Sequence, residues 1–184
     1  REDRDTFDLD FQHRFPLHCN HSVIWGLGYR NTADRLRTDG FVINVTPDKR
    51  ADDLFSYFIQ DEITLVEDEW YLTLGAKFQH NDYTNFELQP TARLLWAPAP
   101  QYSIWGAVSR AVRTPTRADH TAQVTLVPTP LTPPGLFPHI QGNPNFDSEA
   151  LLSYELGMRA QPTEQFSWDL AVFYFDYERL QGLS

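Results

Sequence analysis

The chain has 184 residues, 41% hydrophobic and 14% aromatic, enough for one domain with a sizeable core and too aromatic for intrinsic disorder. Its formal net charge is -10, its only lysines are Lys49 and Lys77, and it has no Lys/Arg run of the kind a nucleic-acid binder carries. The one cysteine, Cys19, excludes an internal disulfide framework and a multi-cysteine zinc site.

No stretch reaches the ~18 continuous apolar residues of a membrane-spanning helix, but a transmembrane β-barrel needs none. The mean hydropathy of -0.45 suits either a soluble protein or such a barrel. The opening Arg1-Glu-Asp-Arg-Asp is charged and shows no signal peptide, so the expectation is a processed start or a piece of a longer chain.

Period-two alternation dominates and helical periodicity is weak. Over 6–15, Phe7, Leu9, Phe11, His13 and Phe15 oppose Thr6, Asp8, Asp10, Gln12 and Arg14. Over 22–30, Val23, Trp25, Leu27 and Tyr29 oppose Ser22, Ile24, Gly26, Gly28 and Arg30. Over 54–65, Phe55, Tyr57, Ile59, Ile63 and Leu65 oppose Ser56, Gln60, Glu62 and Thr64, with Phe58 and Asp61 breaking the pattern. The same alternation recurs at 70–79, 88–96, 102–109, 152–159 and 166–174. The prediction is eight strands of about nine to eleven residues, the length a tilted membrane strand needs.

Between these strands, short connections (16–21, 66–69, 97–101, 161–165) alternate with longer ones (31–53, 80–87, 109–149). That alternation marks an all-β, antiparallel up-and-down meander in a barrel wall, with short periplasmic turns and external loops about 31–53 and 109–149. Aromatics on the apolar face cluster at both ends of the strands: Phe15, Trp70, Trp96, Tyr102 and Phe166 beside the short turns, Phe7, Tyr29, Phe55, Phe78 and Tyr174 at the other end. Two such girdles are what a bilayer with two interfaces selects. The longest connection, proline-rich from Pro115 to Pro144, cannot be sheet interior.

Several stretches resemble the β-barrel of TonB-dependent outer-membrane receptors. They are Tyr57-Phe-Ile-Gln-Asp-Glu-Ile-Thr-Leu, Trp70-Tyr-Leu-Thr-Leu-Gly-Ala-Lys-Phe-Gln-His, and Leu95-Trp-Ala-Pro followed by Ile104-Trp-Gly-Ala-Val-Ser-Arg-Ala-Val-Arg-Thr-Pro-Thr. Gly142-Asn-Pro-Asn-Phe, Glu149 and Ser153-Tyr-Glu-Leu-Gly-Met-Arg complete the set. The resemblance covers most of 55–180 and implies that 1–184 is part of a single barrel domain, about eight strands of a 22-stranded wall around a plug. It further implies import of a scarce nutrient such as a ferric siderophore, and partnership with the TonB complex through a plug segment and with outer-membrane lipids. It implies no cofactor and no chemistry on the substrate.

Within that frame, Arg110, Arg113, Arg117 and His120, where the sixth strand enters the long loop, would attract an anionic metal chelate, and arginine can hold oxygen acids bidentately. Phe137 and His139, in the tip Leu136-Phe-Pro-His-Ile, would add contact. Glu62, Lys77, Arg93, Glu155, Arg159 and Asp169 are expected to line the polar lumen, with cross-strand ion pairs or contacts to the plug. His18-Cys19-Asn20-His21 offers zinc or copper ligands, but its place in a periplasmic turn favours chance clustering. Asp8 and Asp10 read as polar lining rather than a calcium site. No Gly-x-Ser-x-Gly, His-Glu-x-x-His or phosphate-binding glycine loop points to an enzyme. The alternative is a secreted β-sandwich binding carbohydrate through exposed tryptophans; it would bury the apolar face of every strand in a dry core.

Overall fold

The computed structural model describes residues 2–37, 43–45, 47–125 and 139–180. Eleven strands and one short helix follow in order: β1 (Glu2–His18), β2 (His21–Leu36), β3 (Ile43–Val45), β4 (Lys49–Val66), β5 (Trp70–Asn81), β6 (Asn85–Ala99), β7 (Tyr102–Arg113), α1 (Arg117–Thr121), β8 (Ala122–Thr125), β9 (His139–Gln141), β10 (Glu149–Thr163) and β11 (Phe166–Glu178). Eight of them form one antiparallel sheet in the order β1-β2-β4-β5-β6-β7-β10-β11. β1 and β11 do not pair with each other, so the sheet is an open wall rather than a closed barrel. A second, three-stranded sheet, β3-β8-β9, is built from the connections.

All eight alternating segments form strands, and each strand runs past the bounds that alternation alone suggests. β2 and β4 stay paired from Tyr29↔Phe55 out to Arg35↔Lys49, through a stretch that carries polar residues on both faces and only Leu54, Ala33 and Ala51 among apolar ones. Polar side chains on both faces erase the period-two signal while the ladder continues, so much of 31–53 is strand. Likewise β7 reaches Arg113 and β10 begins at Glu149, with α1, β8 and β9 between them. Pro128, Pro130, Pro133, Pro134 and Pro138 lie outside the described residues.

Register keeps the two faces apart across all seven pairings. Directly opposed residues share a face. One row runs Gln12, Gly26, Phe58, Lys77 and Gln89; another runs Arg93, Ala107, Glu155 and Phe173. Val23, Asp61, Leu74, Ala92, Val108 and Tyr154 occupy the other face. That apolar face is open: Phe7 and Leu9 are each 59% exposed and Ile59 41%.

Two departures from the alternation have local causes. Phe58, on the polar face, lies over Gly26, where a Cβ would meet its ring at 2.4 Å and the Phe11 carbonyl at 2.7 Å. Asp61, on the apolar face, is bound by His21 Nδ1 at 2.6 Å, at the start of β2 beside the short turn. The same aromatic-on-glycine packing recurs where Trp105 covers Gly157; a Cβ there would stand 2.3 Å from the indole. The Arg93 guanidinium also sits over Trp105, 4.5 Å from its ring centroid. Gly157→Leu is therefore expected to expel the indole and cost about 1–3 kcal/mol by overpacking. A shift of tryptophan emission together with an earlier unfolding midpoint checks it; an unchanged spectrum would contradict the packing.

At the short-turn end, Trp70 and Trp96 stack at 5.5 Å and 17°, and both indole N–H groups donate to Glu69 Oε1, at 3.2 and 3.1 Å. The turn before them passes through Asp68 at φ 59°, a left-handed position that aspartate tolerates. At the other end Tyr29 packs on Phe55 at 4.8 Å and on Phe7 at 6.3 Å.

Candidate functional site: the loop frame and the polar face

The end of the wall away from the short turns is organised by a break in the ladder. β6 and β7 pair only as far as Thr91↔Ser109. The next residue of β6 is Pro90, which has no N–H to continue the bonding. In the resulting gap Arg110 donates to the Leu88 carbonyl and stands 4.0 Å from Glu87, and the buried Ser148 hydroxyl donates to the same Glu87 carboxylate.

Beyond Arg113 the chain turns into α1 because Thr116 and Asp119 form a reciprocal cap. The Thr116 N–H donates to Asp119 Oδ2 at 2.8 Å, and the Asp119 N–H returns a bond to Thr116 Oγ1 at 3.3 Å. Arg113 bridges this cap to the start of β10, 3.2 Å from Asp119 and 3.2 Å from Glu149. Arg117 turns the other way, donating to the Asp34 carboxylate and the Pro47 carbonyl. Arg117 and Asp34 side chains are each 8% exposed, and Arg117 Nε has no bonding partner among the described residues. Burial lowers the Arg117 pKa from its ordinary value, and the charge of Glu2 acts in the opposite sense.

His120 donates through Nε2 to the Phe146 carbonyl at 3.1 Å and meets the Tyr83 ring edge-on at 5.0 Å. Tyr83 donates to Asp52 at 2.6 Å and carries the Arg50 guanidinium 4.4 Å above its ring. Burial, then the Asp52 carboxylate, pushes the Tyr83 phenol well above its ordinary pKa. Gly142 lies directly on α1, where a Cβ would come within 2.7–2.8 Å of backbone atoms of Asp119, His120 and Thr121. Its N–H donates to the Ala122 carbonyl at 2.7 Å, and Asn143 N–H donates to the Asp119 carbonyl at 2.8 Å. The two most distinctive sequence stretches, Arg110–Arg117 and Gly142–Phe146, thus meet in one frame.

Arg110, Arg113, Arg117 and His120 are gathered in that frame, and each is engaged within the chain. Arg113 is the most open, at 48% side-chain exposure. His139 stands in β9 opposite Thr125, and Phe137 lies outside the described residues. Glu87, Asp34, Asp52 and Tyr83 complete the frame and were not legible as partners, because they come from three other strand ends.

Glu62, Lys77, Arg93, Glu155, Arg159 and Asp169 share the polar face. Arg159 pairs with Asp169 at 2.7 Å, Glu62 stands 3.6 Å from Arg14, and Glu155 accepts from Ser153 Oγ at 2.8 Å. Asp8 pairs with Arg30 at 2.5 Å, and Asp10 accepts from Gln12 at 3.3 Å. In the His18–His21 turn, Cys19 Sγ lies 3.0 Å from His18 Nδ1 while His21 is turned to Asp61. Among the described residues no cluster of three or more His, Cys, Asp or Glu could hold a metal ion.

Residues 1–184 match the family described as TonB dependent receptor-like, beta-barrel. No curated protein matches by sequence. Among solved structures, a mutant of the ferric enterobactin receptor PfeA of Pseudomonas aeruginosa is similar, at 16% identity and TM-score 0.81, over 96% of this chain and 27% of the receptor. The siderophore receptor PirA of Pseudomonas aeruginosa gives 16% identity and TM-score 0.79, over 96% of this chain and 32% of that one. PirA of Acinetobacter baumannii gives 16% and 0.75, over 96% and 27%. The chain thus spans about a third or less of these receptors' length. A one-layer antiparallel wall, the family match along its whole length and this shared fold lead to one identification: the chain belongs to the TonB-dependent receptor β-barrel family.

Proposed function

We propose that the chain is part of the wall of a bacterial outer-membrane receptor that imports a scarce nutrient, with a ferric siderophore the favoured cargo. The observation that carries this reading is the register: seven consecutive pairings keep a polar face and an exposed apolar face separate across eight strands. A soluble sandwich would bury that apolar face against a second sheet, and among the described residues no second large sheet exists. In this reading the apolar face meets lipid, the polar face lines the lumen against a plug, and the α1 end is external. The similar solved structures are receptors for ferric enterobactin and for a siderophore, which favours an anionic iron chelate as cargo.

Within this reading the four basic residues of the frame divide their roles. Arg110, Arg117 and His120 hold the external loops in place. Arg113, half exposed and with further N–H donors beyond its two carboxylate pairings, is the one suited to touch an anionic ligand, together with Phe137 and His139. TonB would act through the plug, and the residues here only position it. The test is uptake of radiolabelled ferric siderophore by cells carrying the whole protein, with and without TonB. Uptake that needs both supports the reading, and outer-membrane localisation without TonB-dependent uptake of any iron chelate overturns the cargo assignment. Arg113→Gln is expected to weaken chelate binding about tenfold while leaving the protein folded, from loss of a charge-assisted contact.

A further inference from the structure

β11 is apolar on both of its faces. Outward it carries Phe166, Trp168, Leu170, Val172 and Tyr174, in line with the apolar face of the wall. Inward, where β10 carries Ser153, Glu155 and Arg159, it carries Phe173, Phe175 and Tyr177. Phe173 stacks on Phe175 at 4.7 Å and 23°, and Phe175 meets Tyr177 edge-on at 6.4 Å. The three residues are 68%, 38% and 51% exposed. Phe58 and Trp105, on the same face, are each laid over a glycine. The three rings of β11 stand up instead as a ridge, and Ala107, Ser109 and Ala111 of β7, in the same rows, make a low floor beyond β10. At the other edge of the wall β1 presents Thr6, Asp8, Asp10, Gln12 and Arg14 to this side. A strand that is apolar on both faces is one that is covered on both. A further strand paired along the free edge of β11 would flank the rings without covering their tips.

We infer that the ridge is an apolar seat for the plug, and that the plug stays held on the β10–β11 side while it parts from the β1–β2 side when cargo passes. The inference rests on the proposed reading that the polar face lines a lumen around a plug. The length of the ridge selects the occupant. Ala107, level with Phe173, is six residues along β7 from Arg113, about 20 Å at the ordinary strand rise. An iron chelate held at the loops reaches only the Tyr177 end, whereas a polypeptide filling the lumen covers all three rings. This chain matches 27% and 32% of two similar receptors, so most of such a receptor lies outside the matched stretch and can supply that polypeptide. The two sides of the wall also differ in what water does to them. Separating the rings from an apolar partner exposes apolar surface to water, which is costly. The charged row of β1 loses little when water replaces a partner.

The test uses the whole protein in its own membrane, with the photo-crosslinking residue p-benzoylphenylalanine replacing Phe175, Tyr174 or Gln12 in turn, and captured peptides identified by mass spectrometry. Position 175 is expected to capture a plug peptide, and position 174, its neighbour on the outward face, to capture none. With TonB and ferric siderophore both present, capture from position 12 is expected to fall while capture from position 175 holds. F173S/F175S is expected to let protease cut the plug about tenfold sooner, from the two lost rings, with the wall still resistant. Capture at position 175 confined to a flanking strand overturns the seat. So does capture that ferric siderophore abolishes without TonB, which would give the ridge to the cargo. Capture that falls at 175 as much as at 12 overturns the anchored side. Fractionation of the same cells reads the parent proposal separately. An outer-membrane protein whose position 175 captures no plug peptide loses only the seat, whereas a soluble one loses both.

Discussion

Ile59→Arg is expected to destabilise the wall by about 2–4 kcal/mol in a bilayer, while Gln60→Arg, one residue further on, changes stability by no more than about 0.5 kcal/mol. Ile59 stands between Trp25 and Ala76 on the apolar face, midway between Phe55 and Ile63. Gln60 stands between Ile24 and Gly75 on the polar face. The two substitutions add the same charge at the same height and differ only in the face that receives it. Urea titration of the whole protein refolded into lipid vesicles measures both. Equal losses would mean that the apolar face does not meet lipid.

The second large effect belongs to the loop frame. Arg117→Met is expected to destabilise the frame by about 3–5 kcal/mol, because it leaves the Asp34 carboxylate buried without its partner. Adding Asp34→Asn should restore part of the loss, since the unpaired charge is then gone. Hydrogen exchange localises the effect: amides of β3, β8 and α1 should exchange much faster, while those of β4 and β5 keep their protection. Uniform loss across the wall would show that Arg117 supports the whole sheet rather than the loops.

The wall was legible in the sequence because alternation survives wherever one face is apolar. It was illegible beyond Arg30 and before Phe55, where both faces of the ladder carry polar residues and the pairing has little hydropathy to reveal it. The role of Phe58 is visible only once register places Gly26 beside it. α1 is too short to show a helical period and is specified by its cap, Thr116 with Asp119. The cluster of Arg110, Arg113, Arg117 and His120 could be seen along the chain. What each residue bonds could not, since Glu87, Asp34 and Phe146 reach the frame through tertiary pairing.

The connectivity also fixes an order of assembly. From β4 to β7, and again from β10 to β11, each strand of the wall pairs with the one next in sequence, so these hairpins close cheaply and early. The β3–β8 ladder is different: it joins Val45 to Ala122, and those residues become neighbours only after β4 to β7 have been laid down between them. The small sheet, and with it the Arg117–Asp34 clasp, is therefore a late event. Newly made wall is expected to pass through a stage in which its strands are in place and its cap is still unfastened.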